Sequence, residues 1–163
     1  MQIKVIAAIC KENNGIGFNN SIPWKCKTDM KFFSEITKGS KNNAVLMGYN
    51  TWKSINGNLK DRVNIVITSR DCKDAGSLFF KDIDKAIQYC KVENFEILWI
   101  IGGAKIYEVF LRDYINMIDE CVITFIPGYY ECDTFFPKLI GWKKYKEVSL
   151  GNYEISVNYY NRN

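Results

Sequence analysis

Apolar runs of strand length alternate with segments of helical period along the first two-thirds of the chain. That alternation admits few folds besides a parallel sheet with helices on its faces. Residues 2–10 (Gln-Ile-Lys-Val-Ile-Ala-Ala-Ile-Cys) are mostly apolar, as a central strand covered on both sides must be. Further strands are expected at 44–48, 63–67, 77–80 and 96–101. A helix is expected from about Cys26 to Lys38, where Asp29, Phe33 and Ile36 share a face, Met30 lies beside it and Gly39 ends it. A short helix is expected from Thr51 to Ile55. Asp82 is placed as an N-cap before Ile83, Ala86, Ile87 and Cys90, which fall on one helical face. Ile106, Val109 and Phe110 mark a fourth helix. From Met117 to Tyr160 the pattern is strand-rich, with turns at Pro127-Gly128 and Gly151-Asn152. The expected fold is α/β: a central, mostly parallel eight-stranded sheet with an antiparallel C-terminal edge, flanked by about four helices. With no repeat, low-complexity tract or linker, residues 1–163 are expected to form one domain.

The chain has no histidine, which excludes Ser-His-Asp and Cys-His machinery, an imidazole base and any His-containing metal site. Chemistry must come from carboxylates, thiols, hydroxyls, lysine, arginine, backbone groups or a cofactor. The six cysteines are scattered and form no CxxC pair, so no metal site is expected. The start of the chain lacks the pattern of a signal peptide, and no stretch is long enough for a membrane helix. The expectation is therefore a cytoplasmic protein with reduced thiols. Net charge is +4, divided as +6 over residues 1–82 and −2 over the rest. No basic tract resembles a nucleic-acid arm, so neither nucleic acid nor membrane is expected as a partner.

Four constellations could carry chemistry. Ile101-Gly102-Gly103-Ala104 joins a strand to a helix, and its bare backbone N–H groups suit a phosphate; a tight connection alone is about as good a reading. Asp29 shares a face with core residues, where burial raises a carboxyl pKa; an exposed first-turn Asp, suited to the helix dipole, is equally open. Thr124 lies in the apolar strand 121–126, where a plain β-favouring residue is the simpler reading. The segment from Gly15-Ile16-Gly17 to Pro23-Trp24 is long enough for a lid anchored by Trp24, or for a surface connection.

Together these pieces resemble the dihydrofolate reductase family. Val5-Ile6-Ala7-Ala8, Gly15-Ile16-Gly17 and Ile22-Pro23-Trp24 resemble its first strand and mobile loop, and Asp29 follows Trp24 at the family's spacing. Met47-Gly48-Tyr49-Asn50-Thr51-Trp52, Arg62-Val63-Asn64-Ile65-Val66-Ile67-Thr68-Ser69-Arg70, Ile101-Gly102-Gly103-Ala104 with Tyr107, and Asp133-Thr134-Phe135-Phe136-Pro137 resemble its other segments, in order.

The resemblance implies hydride transfer from NADPH to C6 of 7,8-dihydrofolate with protonation of N5, supplying one-carbon metabolism and thymidylate synthesis. It implies that Asp29 holds the pterin 2-amino group and N3 and promotes N5 protonation, supported by Thr124, with Ile22 and Trp24 also at the reacting centre. Ile6, Ala8, Met30, Phe33, Ile55, Leu59 and Ile101 would line the substrate pocket, and Arg62 would pair the glutamate α-carboxylate. Gly48, Tyr49, Asn50, Thr51, Thr68, Ser69, Arg70, Gly102, Gly103, Ala104, Lys105, Ile106 and Tyr107 would hold the dinucleotide, together with Ala8 and Ile101. Ile16, Gly17, Asn20, Ser21 and Ile22 would close over the nicotinamide.

Two positions depart from the family pattern. Tyr49 stands where Arg or Lys is usual, leaving Arg70 to supply charge to a 2′-phosphate, and Ala104 replaces a Gly or Ser. The competing readings are a related pyrimidine reductase of riboflavin synthesis and a non-catalytic folate-binding protein. Arg62 argues against the first, Asp29 and the complete lid against the second. The chain is expected to act as a monomer on a small-molecule substrate.

Overall fold

The structure, a computed structural model, describes residues 1–151 and 154–162. Its elements are β1 (Gln2–Cys10), β2 (Gly15–Gly17), α1 (Lys27–Lys38), β3 (Asn43–Gly48), α2 (Tyr49–Ser54), β4 (Val63–Ile67), β5 (Ser77–Phe80), α3 (Ile83–Val92), β6 (Ile97–Gly102), α4 (Ala104–Asp113), a short 3₁₀ turn (Ile115–Met117), β7 (Glu120–Ile126), β8 (Thr134–Phe135), β9 (Lys143–Leu150) and β10 (Ile155–Asn161). Eight strands form one sheet in the order β5-β4-β3-β6-β1-β7-β10-β9. Neighbours from β5 to β7 are parallel, and β10 runs antiparallel between β7 and β9. This is the expected mostly parallel sheet with an antiparallel C-terminal edge.

Period-2 alternation sends the strands' side chains to two cores. Val5, Leu46, Ile65, Ile100 and Ile123 face α3 and α4, where Ala86, Ile87, Cys90, Tyr107 and Phe110 meet them. Ile6, Val45, Met47, Trp99 and Val122 face the other way, under Phe32, Phe33 and Ile36 of α1. Burying each large side chain contributes about 1.5–3 kcal/mol, which is why these elements form where propensity alone is weak. Asp82 caps α3 as expected, accepting from the Asp84 amide at 2.8 Å. Gly39 takes a φ of +49° at the end of α1, a turn that glycine makes at least cost.

Two details differ from the expectation, and a third lies partly outside the described residues. The stretch from 13 to 24 is not all loop, because β2 pairs antiparallel with β8 as a separate two-stranded ribbon. Gly15 and Gly17 carry no side-chain pattern, so period gives no sign of this strand. α2 begins at Tyr49 rather than Thr51, since extended Gly48 passes straight into the helix. Of the expected turn at Gly151-Asn152, Gly151 has a φ of +59°, and Asn152 lies outside the described residues.

Candidate active site

The carboxyl ends of β3, β6, β1 and β7 meet along one edge of the sheet, the usual place for a ligand crevice in an open α/β fold. Ala8 and Thr124 are direct neighbours there, on β1 and β7. Asp29 enters from the first turn of α1 on the same face and is half-buried. Burial pushes its carboxyl up to about 6, and the nearby Thr124 hydroxyl pulls the other way. Thr124 itself is buried. The buried Tyr107 hydroxyl donates to the Ile6 carbonyl at 2.7 Å, and burial, with the charge of Asp29 second, pushes its pKa up. Tyr107 is therefore a fixed neutral donor, and Asp29 is the group that titrates near neutrality. A carboxylate so placed can accept two N–H donors from a planar heterocycle or share a proton with it.

Arg62 marks the outer end of the same face. Its Nη1 donates to Thr37 Oγ1 at 3.0 Å and its Nε to the Lys60 carbonyl at 2.9 Å. Thr37 donates in turn to the Phe33 carbonyl at 2.7 Å, which ties the guanidinium to α1. Burial lowers the Arg62 pKa, with Asp61 opposing, and arginine stays charged regardless. Asn64 braces the loop before it, bonding both the amide and the carbonyl of Leu59 at 3.0 and 2.9 Å. Phe33, Ile55, Leu59 and Ile101 lie half-buried around Ile6 between Asp29 and Arg62. Met30 is 66% exposed, off the packed face of α1.

The lid candidate is strapped to the 130–136 segment. Asn13 Nδ2 donates to the Tyr130 carbonyl at 2.9 Å, the Asn19 amide to Asp133 Oδ2 at 3.0 Å, and the Asp133 amide to the Gly17 carbonyl at 2.9 Å. Phe18 and Ser21 exchange backbone hydrogen bonds, closing a turn that holds Asn19 and Asn20 at positive φ. Trp24 is buried beside Cys10 and Ile126 and meets Tyr130 edge-on at 5.5 Å. Ile16 packs on the core, whereas Ile22 at the tip is 63% exposed.

The remaining candidates cluster around α2 and α4. Gly102 has a φ of +110°, and a Cβ there would sit 2.9 Å from the Tyr107 ring. A Cβ on Gly103 would approach Thr51 Oγ1 to 3.3 Å. α4 starts at Ala104 with no side-chain cap, so its first N–H groups are available to a ligand. Lys105 is exposed beside them, whereas the side chains of Ile106 and Tyr107 lie in the core. Thr68 is buried and its hydroxyl accepts from the Arg70 amide at 3.1 Å; Ser69 and Arg70 are exposed. Beyond them opens a cavity of about 520 Å³, bounded by Thr68, Arg70, Lys73, Phe79 and Lys81 among others, and not by Asp29 or Arg62.

Thr37, Asn64 and Asp133 had no expected role. Asn64 left a trace, a polar residue inside an apolar strand. Thr37 and Asp133 act through contacts 25 and 114 residues away, which local pattern does not carry. Among the described residues no group of His, Cys, Asp and Glu is placed to hold a metal ion, and no helix is long and apolar enough to cross a membrane.

Comparison with known proteins agrees with this geometry. The family model described as Dihydrofolate reductase matches residues 2–161. A dihydrofolate reductase of Schistosoma mansoni is 37% identical over 162 residues, covering 92% of this chain and 85% of that protein. Those of Heliothis virescens and Gallus gallus are each 36% identical, covering 85% and 86% of this chain and 80% of each relative. With the match running nearly end to end over the strands, the 13–24 segment and the Gly-Gly turn just described, the chain belongs to the dihydrofolate reductase family.

Proposed function

We propose that this chain reduces 7,8-dihydrofolate to 5,6,7,8-tetrahydrofolate with NADPH, as a monomeric cytoplasmic enzyme of one domain. The observation that carries the reading is a half-buried carboxyl, Asp29, with a pKa raised to about 6 in a crevice walled largely by apolar side chains. The cofactor fits what surrounds it. Gly102 and Gly103 leave out the two Cβ atoms that would fill the turn, uncapped N–H groups of α4 suit a diphosphate, and Arg70 lies at the rim of a roomy basic cavity. When bound, NADPH supplies the hydride that goes to C6 of the pterin.

The protein's own work is binding, orientation and proton management. Asp29 accepts from the pterin 2-amino group and N3–H, which fixes the ring against Ile6, Phe33 and Ile101 and favours the proton at N5. Thr124 holds the carboxylate in place. Arg62, with its Nη2 lacking a partner among the described residues, pairs the glutamate α-carboxylate. Ala8, Ile55 and Leu59 complete the apolar walls, and Met30 reaches them from the rim. Ile16, Gly17, Asn20, Ser21 and Ile22 fold over the reacting atoms and exclude water, with Trp24 as the fixed base of the lid. Gly48 to Thr51, Thr68 to Arg70 and Gly102 to Tyr107 bind the dinucleotide.

Loss of NADPH absorbance on mixing the purified protein with dihydrofolate tests the reading. Turnover in step with tetrahydrofolate formation is expected. Dihydrofolate binding without turnover would replace it with a non-catalytic folate-binding role.

A further inference from the structure

We infer that Tyr49 is a positioning residue for cofactor choice: its ring holds the Arg70 guanidinium at the rim of the basic cavity, where that group meets a phosphomonoester on the adenine-side ribose. This rests on the NADPH reading above and deepens it. The guanidinium carbon lies 4.4 Å from the centre of the Tyr49 ring. The ring is itself anchored: it leans on Trp52 at 6.0 Å, Trp52 meets Phe79 edge-on at 5.2 Å, and Trp52 Nε1 donates to Ser77 Oγ at 3.0 Å. At the other end, the Arg70 amide donates to Thr68 Oγ1 at 3.1 Å. Arg70 is thus held at its main chain by β4's exit and at its head by α2.

The stack matters because of what it leaves free. An exposed arginine samples many rotamers, and binding an anion must first order it. A ring packed against the guanidinium does that ordering beforehand, and the N–H donors turned away from the ring remain open to a planar, bidentate contact. A cation in place of Tyr49 would repel Arg70 at this range; the aromatic ring attracts it. The charge forgone is replaced nearby. Lys73 and Lys81 border the same cavity; Lys81 pairs with Asp71 at 3.4 Å, and Lys73 makes no ion pair among the described residues. Arg70 makes none either, which leaves both charges for a ligand.

Calorimetric titration of the full chain with adenosine 2′,5′-bisphosphate and with adenosine 5′-monophosphate tests this without turnover. Tyr49→Leu should weaken the bisphosphate about tenfold more than the monophosphate. Tyr49→Phe, which keeps the ring, should keep the native ratio, and in an Arg70→Ala background Tyr49→Leu should change the ratio no further. A general folding defect would lower both affinities alike and leave the ratio where it was. If the native chain prefers the bisphosphate and Tyr49→Leu keeps that preference, the positioning role is wrong. Equal loss of the preference in Tyr49→Phe would overturn it too. If the native chain shows no preference at all, the NADPH reading falls with it.

Discussion

Asp29 carries a stability cost that its chemistry explains. Its pKa is raised to about 6 in the folded chain from 3.8, so the native state prefers the protonated form. Folding is unpenalised below the lower value; the cost grows between the two values and levels off above the folded pKa, at about 3 kcal/mol or less at neutral pH once solvent screening is counted. Asp29→Asn removes the ionisation and keeps the shape. Its Tm should exceed the native value by a few degrees near pH 7, and the gain should vanish below about pH 4. A pH series of thermal melts checks this; a Tm lowered at neutral pH would mean that the charge stabilises the fold. Arg62 calls for a different experiment because its fork is already fixed by Thr37 and Lys60. Arg62→Lys loses the bidentate edge and should raise KM for dihydrofolate about tenfold with little change in kcat. A pterin without the glutamate tail should show no such rise in a parallel assay.

Among the elements, the Gly-Gly turn and the 13–24 segment strapped to 130–136 set the geometry of the candidate site. Gly102→Ala must place a methyl 2.9 Å from the Tyr107 ring at a φ of +110°. A cost of about 1–3 kcal/mol is expected, read as a lower Tm and weaker cofactor binding. Asp133→Ala frees the Asn19 amide from its 3.0 Å bond, so hydrogen exchange across 17–22 should quicken while that of β1 is unchanged. These two elements also show what a sequence does and does not reveal. The strands and helices that bury a face were legible because burial imposes a period: β1, α3 and β6 all fall within a residue or two of their expected places. The Gly-Gly turn was legible as a motif. The β2–β8 ribbon, Thr37 beneath Arg62 and the stack of Arg70 on Tyr49 were not. Each depends on a partner distant in the chain, and none has a hydrophobic period to betray it.

Over the whole molecule, the thiols and the sheet edges bear on how the protein behaves in solution. All six cysteines are free. Burial pushes Cys90 up to about 12 and Cys121 higher still, and Cys10 is fully buried. Alkylation near pH 8 should therefore spare Cys10, Cys90 and Cys121 in the native chain, and mass spectrometry should find all six modified in denaturant. The β9 edge carries Lys143, Lys144 and Lys146, and the β5 edge is four residues long, both of which discourage strand pairing between copies. Sedimentation should accordingly give a species near 18.9 kDa. If Asp29 manages the proton for reduction of dihydrofolate, the rate of NADPH consumption by Asp29→Asn must depend on pH in a way the native rate does not. A loss of about 10²–10⁴ is expected near pH 7, with part of the rate returning in acid, where the substrate arrives already protonated. A rate equal to the native one near pH 7 would contradict it.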